Sequence, residues 1–206
     1  MTATARVFLV DDDAAIRDAL YLLLQLRGID TEVYASAAEA LEAISLESRG
    51  CVLTDLRMPG LTGLELMGEL RAKQVSLPVV MLTAHGDVAT TRAALRGGAF
   101  DFLEKPVDED ILVDVVRHAI NEDAKGHRKR LEVDATMARI ESLTPRERAV
   151  FMLISRGLQN REIALELSIS ARTVEVYKAR MMEKLGCSTI AEIVKLSFVL
   201  EPGGPS

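Results

Sequence analysis

Apolar positions change their period once along this chain, near its middle, and the change divides the sequence in two. Up to about residue 121, short runs of Val, Ile, Leu and Phe alternate with longer segments whose apolar positions return every three or four residues. That alternation is the pattern of repeated βαβ units around a parallel sheet. Five rounds are legible, with strands predicted at 6–10, 31–34, 51–54, 78–83 and 100–103. Most are continuous apolar runs, as in strands covered on both faces. Between the first two, Ile16, Leu20, Leu23 and Leu24 fall on one helical stripe, and 37–44 and 61–70 behave similarly.

Beyond residue 121 the apolar pattern gives way to charge, with Gly126 and the basic run His127, Arg128, Lys129 and Arg130. Residues 122–140 read as a linker with room for helix, and the basic run as a solvated connector rather than a DNA-contacting arm. From residue 141 no strand pattern survives, and start signals announce four short helices. Thr144, Pro145 and Glu147 form a capping box with proline at the first helical position. Asn160 reads as the cap of a helix over 160–167, Ser170 caps one that Gly186 stops, and 189–199 forms the last. The predicted fold is a doubly wound parallel five-stranded α/β domain of flavodoxin-like type over 1–121, then an all-α four-helix domain over 141–200, with a frayed tail at 201–206.

Charge sharpens this division. Residues 1–121 carry 11 Lys and Arg against 19 Asp and Glu, a net of −8, whereas the remainder carries 14 against 12, a net of +2. Only the second part suits a nucleic-acid partner, since phosphates are met by Lys and Arg. Cys51 and Cys187 form no CxxC or Cys/His cluster, which argues against a disulfide framework or a zinc site. The first ten residues offer a four-residue apolar run before three aspartates, fitting neither a signal peptide nor a spanning helix. A cytoplasmic protein with no membrane partner is expected.

In a doubly wound sheet, ligands sit outside the carboxyl ends of the strands, where strand order reverses. Four predicted strands end in chemically useful groups: Asp11, Asp12 and Asp13 after the first, Asp55 after the third, Thr83 after the fourth, and Lys105-Pro106 after the fifth. Carboxylates gathered from separate strands repel one another, so the cluster calls for a cation, and oxygen ligands of this kind suit Mg²⁺. Beside a nucleophilic carboxylate such a centre welcomes an anionic phosphoryl group, whose oxygens Lys and Thr can hold. Taken singly, each residue has an ordinary explanation as a helix cap or turn. Their common placement at strand ends singles them out, Asp13 excepted, since one position past the pair it is equally a helix cap.

The segments Val10-Asp11-Asp12-Asp13, Leu53-Thr54-Asp55-Leu56-Arg57-Met58-Pro59-Gly60, Leu82-Thr83-Ala84-His85-Gly86 and Asp101-Phe102-Leu103-Glu104-Lys105-Pro106 together resemble the CheY-like receiver domains. The resemblance implies that Asp55 is the phosphoacceptor and that Asp11 and Asp12 form an acidic pocket. Asp12 and Asp55 would then ligate Mg²⁺ or Mn²⁺ with the main-chain carbonyl of Arg57, Asp11 acting indirectly. Thr83 and Lys105 would contact the phosphoryl group, and the Lys105-Pro106 bond would be cis. Phe102 stands at the family's aromatic switch, although core packing alone would account for a Phe there.

The second part, through Leu143-Thr144-Pro145-Arg146-Glu147-Arg148, Gly157-Leu158, Glu162-Ile163-Ala164, Thr173-Val174-Glu175-Val176 and Lys184-Leu185-Gly186, resembles the LuxR/NarL-type helix-turn-helix. The second helix of such a motif enters the major groove. By that resemblance Thr173, Glu175, Val176, Tyr177, Lys178 and Arg180 contact DNA, Lys178 and Arg180 foremost. Glu175 departs from the Lys common at its position. It repels phosphate but can accept from a cytosine amino group. The 175–179 stretch and the Thr83 to Asp87 run look closest to the FixJ-like subgroup.

These resemblances imply a two-component response regulator, not a metabolic enzyme, that is phosphorylated by a sensor histidine kinase and regulates transcription on promoter double-stranded DNA. Dimerisation on phosphorylation is expected through charges after Thr83, among them Arg92, Arg96 and Asp101, with Asp110 and Asp114 beyond. RNA polymerase is a further expected partner. Two other readings stay open on the residues alone. The helical part could grip RNA or protein, since its basic charge is weak, or the aspartyl-phosphate chemistry could serve a small-molecule phosphatase or transferase, although no separate substrate-recognition segment is visible.

Overall fold

The computed structural model describes residues 4–84 and 96–200. They divide into two compact units, one ending at His127 and one beginning at Arg128. In the first, strands β1 (Arg6–Val10), β2 (Thr31–Tyr34), β3 (Gly50–Asp55), β4 (Val79–Thr83) and β5 (Asp101–Glu104) form one sheet in the order β2-β1-β3-β4-β5. Every pairing is parallel. This is the doubly wound architecture expected from the sequence. The last strand lies one residue later than predicted, beginning at Asp101, with the N–H of Phe100 just before it donated to the carbonyl of Val79.

Alternate strand residues point to opposite faces, and both faces are covered. Phe8, Val10, Val52 and Met81 pack on one side against α2 (Ala37–Ala43) and α3 (Gly63–Ala72). Val7, Leu9, Leu53, Val80 and Leu82 pack on the other against Leu24 of α1 (Ala14–Leu26) and Leu112, Val113 and Val116 of α4 (Glu109–Glu141). That double burial is why these strands read as unbroken apolar runs. The segment after β4 that would carry the next helix falls largely outside the described residues, as do the terminal residues 201–206.

Residues 122–140 are helical throughout, as part of α4, with Gly126 inside the helix. Near the first unit's end Asp123, almost fully buried, accepts from the N–H of Gly50 at 3.0 Å. In the second unit α5 (Pro145–Ser155), α6 (Asn160–Glu166), α7 (Ala171–Leu185) and α8 (Ile190–Ser197) surround Val150, Phe151, Ile163, Val174, Met181, Leu185 and Ile193. Ile140 and Leu143 complete this core. Thr144 caps α5 as the capping box foretold. Asn160 does not cap α6, contrary to expectation. Gln159 is the N-cap, its N–H donated to the carboxylate of Glu162 at 2.7 Å, so Asn160 is already helical. The final helix is shorter than predicted, ending at Ser197 before a 3₁₀ turn, Phe198–Leu200.

Candidate functional site

Strand order reverses between β1 and β3, and the ends of these two strands supply the site. β1 delivers Asp11 and Asp12, and β3 ends in Asp55. One carboxylate oxygen from each of the three lies within 4.8 Å of the others. The backbone leaves them little freedom. Asp11 is fully buried and accepts the N–H of Asp13 at 2.9 Å. Asp55 accepts the N–H of Arg57, also at 2.9 Å. A Cβ on Gly63 would stand 2.4 Å from the carbonyl oxygen of Asp55, so the first turn of α3 can pack here only because residue 63 has no side chain.

Lys105 crosses to this cluster from β5, its ammonium 2.7 Å from Asp11 and 2.5 Å from Asp55. Burial works against its charge, but the bonds to both carboxylates outweigh it and hold the Lys105 pKa above the ordinary lysine value. The Lys105-Pro106 peptide is cis. Thr83, buried at the end of β4, is fixed beside it, its carbonyl accepting the N–H of Lys105 at 2.7 Å. Phe102 is partly buried and packs against the apolar layer that contains Met81. Three carboxylates gathered from two strand ends, all oxygen donors, suit a hard divalent cation better than a soft one, so the residues present fit the expected Mg²⁺.

Of three neighbours of this site, the sequence left one, Asp13, with two readings and the other two unmarked. Asp13 lies outside the cluster and caps α1, accepting from Ala15 and Ile16, which settles its two readings in favour of the cap. Arg17 donates to the carbonyl of Asp11 at 2.7 Å. Helical spacing from the aspartates could have suggested it. An open apolar depression of about 480 Å³ borders Lys105, lined by Ile16, Leu20, Leu82 and Val107.

In the second unit α7 buries Val174, Met181 and Leu185 and exposes Arg172, Glu175, Val176, Ala179 and Arg180. Among the proposed DNA contacts, Glu175, Val176 and Arg180 thus lie open. Thr173 is half-buried, its hydroxyl 2.8 Å from that of the N-cap Ser170. Tyr177 packs partly against the core. Lys178 is half-buried and lines a cavity of about 490 Å³ with Gln159, Asn160 and Arg161, bringing a second cation to its side. Nothing in the sequence marks Arg161 or Arg172 as a contact, because a single exposed Arg at a helix start carries no signal of its own. In the last turn of α7, Lys184 binds the buried carboxylate of Glu147 at 2.6 Å. That bond and the N–H of Thr144 lower the Glu147 pKa to about 2.

The charges expected at a dimer surface are only partly available to one. Arg92 lies outside the described residues. Asp110 is engaged within the chain by Arg27 at 2.8 Å, and the Asp101 side chain accepts the N–H of Phe102 at 2.7 Å. Among the described residues no helix is long and apolar enough to cross a membrane.

Comparison with known proteins agrees with both halves. Residues 7–117 match the response regulator receiver domain, and 141–197 match the luxR family of bacterial regulatory proteins. The chain is 40% identical to the transcriptional regulatory protein FixJ of Bradyrhizobium diazoefficiens, over 96% of this chain and 97% of that protein. It is 39% identical to the C4-dicarboxylate transport transcriptional regulatory protein DctR of Rhodobacter capsulatus, over 93% and 98% of the two chains. Among solved structures it resembles the response regulator StyR, with a TM-score of 0.84 and 39% identity, covering 94% of this chain and 98% of that one.

Proposed function

The chain belongs to the response regulator family, joining a receiver to a LuxR-type DNA-binding domain, and from that premise we propose how it works. A sensor histidine kinase supplies a phosphoryl group to Asp55, and the phosphorylated protein regulates transcription on promoter DNA as a dimer. Residues 1–121 form the receiver, 122–140 the connector and 141–200 the DNA-binding domain.

The observation that carries this reading is the convergence of Asp11, Asp12 and Asp55 within 4.8 Å with Lys105 bridging two of them. A carboxylate oxygen of Asp55 attacks phosphorus, forming the acyl phosphate. The bond from phosphorus to the donor imidazole nitrogen breaks, its electron pair staying on that nitrogen. Lys105 exchanges its hold on the Asp55 carboxylate for one on a phosphoryl oxygen, and the Thr83 hydroxyl holds another. Asp12, Asp55 and the Arg57 carbonyl would hold Mg²⁺ or Mn²⁺, with Asp11 behind them. When bound, the cation neutralises the carboxylates and draws charge from the phosphoryl oxygens. The apolar depression beside Lys105 offers a surface against which a protein donor can pack. Phe102, packed at the edge of the sheet, couples the site to the dimer surface in this reading, and Thr173, Glu175, Val176, Tyr177, Lys178 and Arg180 meet the DNA, with RNA polymerase a further partner at the promoter.

The test is labelling with a radioactive acyl phosphate, with and without a chelator, in the wild type and in Asp55→Asn. Asp55→Asn should stay folded and take no label, and chelation should reduce wild-type labelling to the same background. Label on Asp55→Asn at the wild-type level would reject Asp55 as the nucleophile. Sedimentation of the labelled and unlabelled protein checks dimerisation, with an unchanged mass pointing instead to release of a masked recognition helix.

A further inference from the structure

Helix α7 is fastened at its C-terminal end by a residue outside the helix-turn-helix. A helix leaves its last carbonyls without intrahelical partners. In α7 the turn closes on Gly186, whose φ of 68° lies in the left-handed region, with Gly186 N–H bonded to the Glu183 carbonyl and Cys187 N–H to that of Met182. The carbonyl of Leu185 accepts from the Cys187 thiol at 3.9 Å and, from outside the motif, from the guanidinium of Arg139 at the shorter distance of 3.1 Å. Arg139 stands in the last turn of α4, beside Ile140, which is fully buried in the same core as Met181 and Leu185. Lys184, the basic residue in α7's own last turn, does not compete for this role because Glu147 of α5 holds it.

We propose that Arg139 is a positioning residue for DNA reading. It ties the C-terminus of the recognition helix to the end of α4, so that the angle at which α7 presents Glu175, Val176 and Arg180 is set jointly by α5 and by α4. A cation at a helix C-terminus both satisfies a carbonyl and meets the negative end of the helix dipole. The leverage is considerable. Ten residues of helix, roughly 15 Å, separate Leu185 from Glu175, so a tilt of about five degrees at the fastened end moves Glu175 by about 1.3 Å. Direct base contacts are hydrogen bonds that weaken within a fraction of that distance. Backbone phosphate contacts carry little sequence information and depend mainly on charge. Loss of Arg139 therefore degrades discrimination before it degrades general affinity.

This inference rests on α7 being the recognition helix, and the experiment separates the two. Full-length wild type is used to select a duplex from random DNA, and binding to that duplex and to an unrelated one is titrated at several salt concentrations. Arg139→Ala should lose about tenfold in the ratio of the two affinities, the size of one disrupted base contact, with an unchanged salt slope. Arg139→Lys, whose ammonium can reach the same carbonyl, should keep the ratio within about threefold. If Arg139→Ala proves unfolded, Arg139→Gln, which removes the charge and shortens the reach, carries the same expectation. A salt slope reduced by about one with the ratio intact would identify Arg139 as a phosphate contact and overturn the proposal. A lower melting temperature with ratio and slope both intact would make it merely structural, with the same result. A wild type that selects no sequence would reject α7 as the reading element, and this inference with it.

Discussion

The carboxylate cluster of the first unit and the open face of α7 differ in what holds them. Asp11 is fully buried, Asp55 is pinned by the Arg57 N–H and by Lys105, and the sheet brings these residues together from positions up to 94 apart in sequence. On α7, Glu175, Val176 and Arg180 come from one helical turn and a half, and all are exposed. In the first case the backbone dictates the geometry and the chemistry is sensitive to small displacements. In the second the core fixes only the helix axis, and the side chains that reach a partner are free to vary. Substitutions should therefore act through geometry and charge balance at the carboxylate cluster, and through counting of contacts among the exposed side chains of α7 themselves.

The largest effect should come from breaking charge balance at the buried site. Lys105→Met removes the only side-chain cation paired with the carboxylates of Asp11 and Asp55 among the described residues. By analogy with other charge-stabilising groups, phosphoryl acceptance should fall by about 10²- to 10³-fold, or roughly 3–4 kcal/mol in the barrier. Folding should respond in a second way. With the ammonium gone, three carboxylates within 4.8 Å repel without relief, so added Mg²⁺ should raise the melting temperature of the variant more than that of the wild type. Equal Mg²⁺ responses in thermal melts would mean that Lys105 does not balance the cluster.

Geometry can be tested apart from charge on a single helix. Gly63→Ala forces a methyl toward the Asp55 carbonyl, 2.4 Å from the ideal Cβ position, and should destabilise by about 2–3 kcal/mol. Gly68→Ala, five residues on in open space, should stabilise by about 0.5–1 kcal/mol through helix propensity. Denaturant titration of the pair checks the opposite signs. Destabilisation of equal size at both would show that α3 tolerates neither, and that the close approach at Gly63 is not special.

The same contrast explains how much could be read from sequence. β1, β3 and β4 were legible because sheet burial on both faces leaves unbroken apolar runs, and Asp11, Asp12, Asp55, Thr83 and Lys105 because each follows such a run. Their mutual distances were not legible, since they depend on strand register and on Gly63 admitting α3. The helicity of 122–140 was obscured because its exposed stretch, from Arg128 to Ala135, lacks an apolar stripe. Capping preference points to Asn160, because Asn is the stronger capping type, whereas α6 is capped one residue earlier, where Glu162 secures the N–H of Gln159. Arg139 gave no sign, as its partner is a main-chain carbonyl 46 residues away.

A moderate effect separates the units by pH. Glu147 has its pKa lowered to about 2 by Lys184 and the Thr144 N–H, against an unfolded value near 4.5. A depressed carboxylate stabilises the fold fully above the unfolded pKa and loses that contribution as pH falls through the folded one. The second unit should therefore weaken between about pH 4.5 and 2. Because Lys184 is 38% exposed, solvent screening reduces the contribution to about 1–2 kcal/mol. Glu147→Gln should lose that amount at pH 7 and show a flatter acid dependence, measured by a helix signal specific to the second unit. An acid transition unchanged by the substitution would assign the pH dependence elsewhere.

The smallest effect expected is on α7 itself, and it tests whether contacts there can simply be counted. Lys178 is half-buried at the edge of a cavity of about 490 Å³ that Arg161 also lines. A lysine held this way, away from the most exposed stripe of Val176, Ala179 and Arg180, is better placed for the phosphate backbone than for a base edge. Each neutralised phosphate releases about 0.9 of a counterion, so Lys178→Ala should flatten the plot of log affinity against log salt by roughly one unit. Affinity should drop about equally on selected and unrelated duplexes, by about fivefold at moderate salt. Arg161→Ala should do the same, and the double variant should flatten the slope by roughly two units, because separate phosphate contacts add. A slope unchanged by Lys178→Ala, with preference for the selected duplex lost, would move Lys178 to base readout. A double variant no flatter than either single one would mean that both cations share one phosphate, and that this face of α7 is organised as a site after all.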